Sequence, residues 1–188
     1  GEVGWGLYLE NGKIRLNLST RTLDDGVAAE AIQSIQLNRW QHITATYDGS
    51  KTPDGIRIYV NGDSLELEGL LDLVGNRLPQ RYPLRIGASG SSKPNFQGNL
   101  DDIRIYGRVL PPEDVAVVAT AETITEIAGM DSNSRSPAQS DKLSLSFLNQ
   151  YASPEIRASY SKVQDLENQR EELRESFPTV MVMEEMTP

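Results

Sequence analysis

A chain of 188 residues, 38% hydrophobic and 24% charged, is long enough to bury one good core with a small helical appendage beside it. Its net charge of −9, with lysines and arginines scattered and no basic stripe, argues against nucleic acid as a partner, and no apolar run approaches the roughly 20 residues that cross a bilayer. There is no cysteine, which excludes disulfides, thiolate nucleophiles, zinc–thiolate sites and haem attachment through CxxCH.

The sequence begins GEVGWGLYLENG, without an initiator Met or a charged-then-apolar leader, and reads as an excerpt of a longer protein. Trp5 to Leu9 and Lys13 to Leu18 flank Glu10-Asn11-Gly12, and Asn-Gly between alternating apolar residues predicts a hairpin. In its second arm Ile14, Leu16 and Leu18 share one face and Lys13, Arg15 and Asn17 the other, which gives a strand with one buried side. Leu23 to Ile35, with DDGVAAEAIQSI, reads as either a helical turn or a loop crossing the sheet. Trp40 to Tyr47 alternates again: Ile43, Ala45 and Tyr47 on one side, Trp40, His42, Thr44 and Thr46 on the other, a strand inside a sandwich. After the break at Asp48-Gly49-Ser50, IRIYVNGDSLELEG predicts a second hairpin. Ile56, Ile58 and Val60 face inward, Asn61-Gly62 makes the turn, and Leu65 and Leu67 return opposite Glu66 and Glu68. Leu84 to Ala88 and Leu100 to Tyr106 complete the strands. Short strands punctuated by Gly, Asn, Asp and Pro indicate an antiparallel all-β sandwich.

Past Pro111-Pro112 the character changes. Glu113 to Thr123 predicts a short helix, Asp131 to Ser140 a small, polar linker, and Lys142 to Tyr151 and Pro154 to Phe177 two further helices. In the last of these, Ile156, Tyr160, Val163, Leu166, Arg170 and Leu173 recur at helical spacing, a packing seam for a neighbouring domain. Thr179 to Met183 reads as a strand entering something else.

Taken in order, WQHITATYDG, IRIYVNG, LRIGAS and FQGNLDDIRIYGRVLPPED resemble the signature of laminin G-like, concanavalin A-like lectin domains of the bacterial type. The likeness runs over roughly residues 5 to 118. It implies an all-β, antiparallel jelly-roll-like sandwich at 1–118 that lacks its first strands; the composition beyond it divides the chain into a linker at 119–140 and a C-terminal helical connector at 141–188 leading into a further domain. The tail ending PTVMVMEEMTP is similar to large planctomycete-type proteins in which a cytochrome c-like domain, domains of unknown function and a laminin G-like insert share one chain. The CxxCH of those proteins is absent, so no haem role follows. The resemblance implies a periplasmic or cell-surface location.

Candidate chemistry is sparse. His42, the single histidine, has no nucleophile, GxSxG elbow or second histidine to work with, and is expected to pack in its strand. Glu66 and Glu68 lie about 6.5 to 7 Å apart along one strand face, near the spacing of paired glycosidase carboxylates. The run SLELEG nevertheless lacks the middle Asp and last Glu of the E-x-D-x-x-E pattern of concanavalin A-like glucanases, and a solvated face explains the pair as well. Calcium takes six to eight oxygens, usually from loops, and laminin G-like sandwiches often hold one at the rim. Asp48, Asp54, Asp63, Asn95, Asn99, Asp101 and Asp102 fall at or near predicted turns; of these Asp48, Asp63, Asp101 and Asp102 are the candidate ligands. Tyr59, Tyr82 and Tyr106 are the candidate sugar platforms, the first and last because they point away from the apolar strand faces, although outward tyrosines also fill cross-strand pairs.

The expectation is therefore a non-catalytic recognition module within a larger exported bacterial protein, binding carbohydrate or another protein surface. An architectural insert that spaces other domains is the alternative from a different class, and a glycoside hydrolase remnant the third.

Overall fold

Both Asn-Gly pairs turn the chain as read from the sequence. Asn11 and Gly12 hold φ of +53° and +80°, Asn61 and Gly62 φ of +54° and +91°, so each supplies two consecutive left-handed positions. The computed structural model describes residues 4–21, 25–73, 84–88 and 95–176. Around the first turn β1 (Gly4–Glu10) pairs with β2 (Lys13–Arg21). Next comes β3 (Asp25–Ser34), which pairs antiparallel with β2 on one side and β7 (Leu67–Leu73) on the other, giving a four-stranded sheet in the order β1-β2-β3-β7. A second antiparallel sheet has the order β4-β5-β6, from Ile43–Tyr47, Ile56–Val60 and Asp63–Ser64.

The two sheets share one apolar cluster. Ile14, Leu16 and Leu18 from β2, Val27, Ala29 and Ala31 from β3, and Ile56 and Ile58 from β5 are all buried in it. Alanines at two facing positions of β3 leave room for the isoleucines of β5. The opposite side of the first sheet is polar, as the period of two requires: Arg15 bonds Glu30 Oε2 from Nε (3.1 Å) and from the guanidinium tip (2.8 Å), and also meets Glu10 at 2.9 Å, while Lys13 stands 3.7 Å from Glu30.

Helix α1 (Pro112–Ala119) covers the other face of β5. Val115 and Leu110 bury Tyr59 there, with Val118 packed alongside, and the Gly62 turn abuts the same helix: a Cβ on Gly62 would sit 3.2 Å from Ala116 Cα. Helices α2 (Ile124–Gly129) and α3 (Pro137–Ser146) each start in a capping box, Thr123 with Glu126 and Ser136 with Gln139. Arg135 donates to the carbonyls of Ile127, Ala128 and Met130 at the end of α2, and Lys142 to those of Thr120 and Glu122. A single π-helical turn, Phe147–Tyr151, leads into α4 (Pro154–Ser176), where Ile156, Val163 and Leu166 are exposed. No helix among the described residues is long and apolar enough to cross a membrane.

Several expectations are corrected. Residues 25–34 are a full strand, because ladders on both sides override the helical preference of Ala and Glu. The returning arm of the second hairpin is only two residues of β6; Leu65 and Glu66 carry the chain across to the first sheet, where β7 begins. Of Trp40 to Tyr47, only Ile43–Tyr47 is strand, and Trp40 is exposed. Among the described residues Leu84 to Ala88 and Leu100 to Tyr106 form no ladder. In the second of these Asp102 takes φ +50°, its N–H is held by the Asp101 carboxylate, and that local bond replaces extended pairing. Within the stretch read as a linker, Ser132–Ser134 form a 3-10 turn and α3 begins at Pro137. Thr179 to Met183 lies outside the described residues.

The contact between the Gly62 turn and α1 is testable. In urea unfolding, Gly12→Ala should cost about 1 to 2 kcal/mol of left-handed strain. Gly62→Ala should cost more, because its methyl also displaces α1; equal losses would show that the helix does not rest on the turn.

Candidate functional site

The polar groups with the richest surroundings gather at the end of β4 that meets the Asn61–Gly62 turn. His42 immediately precedes β4, and its N–H donates to Asn61 Oδ1 at 2.9 Å while Asn61 N–H donates to the His42 carbonyl at 2.8 Å. That exchange extends the β4–β5 ladder by one pair and fixes the imidazole on the same side as Thr44, whose Oγ1 lies 3.3 Å from Nδ1. Burial holds the His42 pKa below its usual value, with the nearby Arg104 guanidinium lowering it further and Asp102 opposing both.

The segment carrying those charges is 101–106. Asp101 Oδ1 accepts the N–H of Asp102 at 2.8 Å, and Arg104 makes a two-pronged bond to Asp102, Nε to Oδ1 at 2.8 Å and the guanidinium tip to Oδ2 at 2.7 Å. The Asp102 carboxylate first, and the neighbouring Tyr106 hydroxyl second, hold the Arg104 pKa above its usual value. Both partners of the ion pair are half exposed or more, so the pair contributes roughly 0 to 1 kcal/mol to stability and serves mainly to orient the side chains. Tyr106 keeps 43% of its surface in solvent.

Measured against the sequence reading, the candidate residues separate. Tyr106 is exposed beside polar groups. Tyr59 is not a platform: at 5% exposure it is buried beneath Leu110 and Val115, because the face that looks away from the first cluster is covered by α1. Tyr82 lies outside the described residues. The four aspartates named for calcium do not converge. Asp48 follows β4 at the end opposite His42, about 20 Å along the strand from it, and its Oδ1 accepts the Ser50 N–H at 2.9 Å. Asp63 follows the Gly62 turn and is exposed, while Asp101 and Asp102 are engaged as above. Among the described residues no three His, Asp or Glu side chains form a group that holds a metal ion. Glu68 pairs across the ladder with Glu30, and it and Glu66 are exposed. Arg104 makes the bond to Asp102, whereas Arg108 pairs with Asp114 at 2.9 Å. The part that sequence reasoning missed is Asn61, whose side chain secures His42; the Asn-Gly turn signalled its backbone and not this role.

Two antiparallel sheets around one apolar cluster, with polar groups collected at strand ends, define an antiparallel class of β proteins. Within that class, the laminin G model of the Concanavalin A-like lectin/glucanases superfamily matches residues 1–116, and the chain belongs to that superfamily. A crystal structure of an S-layer domain-containing protein (residues 221–444) from Clostridium thermocellum ATCC 27405 is similar over 63% of this chain at 17% identity, with a TM-score of 0.33; the chain spans 64% of that one. No curated protein matches the chain. Nothing in these comparisons supports the planctomycete-type multidomain context.

His42 gives a pH signature with a definite sign. Its folded pKa is depressed below the unfolded 6.5, so the unfolded chain binds more protons in the window beneath that value. The stability contributed by the neutral imidazole is complete above pH 6.5 and is lost as pH falls through the folded pKa. Between pH 7.5 and 5.5 the wild type should therefore lose more stability in urea than His42→Gln, and the single histidine resonance should titrate below 6.5 and move upward in Arg104→Gln. Parallel losses in the two proteins would show that the ring is not desolvated.

Proposed function

We propose that this chain is a non-catalytic recognition module of a larger exported protein, its sheets closing as a sandwich, and that it binds carbohydrate at the 101–106 segment. The observation that carries the reading is Tyr106, an exposed ring beside the Arg104 guanidinium and the Asp101 and Asp102 carboxylates. A sugar offers an apolar ring face and a rim of hydroxyls, and an aromatic face next to fixed donors and acceptors matches both. Superfamily membership supports a binding or scaffolding role. Against catalysis stand an imidazole whose polar neighbour is the strand hydroxyl of Thr44, and an exposed Glu68 that faces Glu30 across the ladder.

A spacer between other domains is the second reading. It is favoured by α4, whose exposed Ile156, Val163 and Leu166 suit contact with protein more than with sugar.

The test is a broad glycan array probed with the purified chain in millimolar calcium and in EDTA. Carbohydrate binding that falls about ten-fold in Tyr106→Ala, with an unchanged melting temperature, is the expected result. Calcium-dependent binding lost in Asp101→Asn would place a cation at the Asp101–Asp102 turn, and dependence on Asp48 or Asp63 would place it elsewhere on the rim. Binding indifferent to Tyr106→Ala, or no binding to any glycan, would overturn the assignment and leave the spacer.

A further inference from the structure

Helix α4 has 23 residues, about 35 Å of helix, and its main contacts are with the π-helical turn that precedes it. Along it Ile156, Val163 and Arg170 recur every seven residues, and Ser159, Leu166 and Leu173 repeat the same interval three places on. Steps that alternate between three and four keep these six residues on one stripe, the seam of a left-handed coiled coil. Its apolar members are exposed, Ile156 by 47%, Val163 by 50%, Leu166 by 54% and Leu173 by 59%. A helix with polar flanks and one narrow apolar line owes most of its stability to whatever packs on that line.

We propose that the line is covered by α4 of a second copy of this chain, the two helices lying antiparallel. The choice of occupant rests on how the sequence of α4 complements itself. Laid antiparallel about a dyad between Gln164 and Asp165, the seam sets Ile156 opposite the partner's Leu173, Val163 opposite the partner's Leu166 and Ser159 opposite the partner's Arg170. Every apolar residue then meets an apolar one. Ser159 is small and its hydroxyl already donates to the Glu155 carbonyl at 3.0 Å, which leaves space for the arginine stem to cross it toward solvent. A parallel pair would instead stack Arg170 on the partner's Arg170 inside the seam. Charge selects the same orientation. Residues 154–164 carry Glu155 against Arg157 and Lys162, net +1, whereas residues 165–176 carry five carboxylates against Arg170 and Arg174, net −3. Antiparallel pairing lays each positive half on a negative one, while parallel pairing brings the two acidic halves together. The helix dipoles also run head to tail in the antiparallel arrangement. The pairing is independent of the sugar assignment, because it concerns α4 and not Tyr106.

Sedimentation equilibrium of the purified chain should show a reversible monomer–dimer equilibrium in the micromolar range. Leu166→Glu keeps a good helix former but puts a carboxylate in the middle of the seam, and should raise the dissociation constant about ten-fold or more. The chain has no cysteine, so an introduced thiol reports its own neighbour alone. Chains carrying Ile156→Cys and Leu173→Cys, mixed in a glutathione redox buffer, should form the mixed disulfide in preference to either homodimer, whose sulfurs would stand about 26 Å apart along the axis. Homotypic disulfides in its place would show parallel pairing and overturn the register. A chain that stays monomeric up to millimolar concentration would overturn the proposal and leave the stripe to another domain of the protein. A dimer indifferent to Leu166→Glu would overturn it as well, by placing the contact on a different surface.

Discussion

Strand β5 is buried from both sides, and most of the structure follows from that. Ile56 and Ile58 enter the cluster between the sheets, while Tyr59 faces the other way under Leu110 and Val115. Each such side chain contributes roughly 1.5 to 3 kcal/mol through the apolar surface it removes from water. A strand with one wet face would have released α1, and with it the wall against which the Gly62 turn is set. The turn in turn presents Asn61 to His42. The polar end of β4 is thus positioned by hydrophobic burial one strand away.

What was legible in the sequence were features decided by neighbours within a few residues. Asn11-Gly12 and Asn61-Gly62 demand left-handed backbone, and the alternation in β2 separates Ile14, Leu16 and Leu18 from Lys13 and Arg15 whatever the rest of the chain does. The illegible features depend on distant partners. Strand β3 is rich in Ala and Glu, and only β2 and β7 on its two edges make it extended. Period two says which side of β5 Tyr59 occupies, but not that a helix fifty residues onward covers that side. The same alternation in Ile103 to Tyr106 reads as a strand although it forms no ladder among the described residues, because a strand's hydrogen bonds belong to its partner as much as to itself.

The helical region shows how one composition serves two ends. Small polar residues between 131 and 140 read as a linker, yet Asp131 and Ser136 are N-caps, accepting backbone N–H groups of Asn133 and Gln139. The carbonyls that end α2 and the turn before it are then collected by Arg135 and Lys142. Cations on helix-end carbonyls satisfy acceptors that would otherwise need water, so a segment with few buried side chains still holds a defined course.

The ladder of Glu10, Arg15, Glu30 and Lys13 across the first sheet has an effect on the protein's outward field. Two carboxylates and two cations cancel there, but Glu68 stands opposite Glu30 on the same side and is exposed, so that broad side is nearly neutral toward β1 and β2 and acidic toward β7. An acidic neighbour meets least repulsion at the Lys13–Arg15 end of the sheet, and added salt, which screens Glu68, should erase the preference for that end.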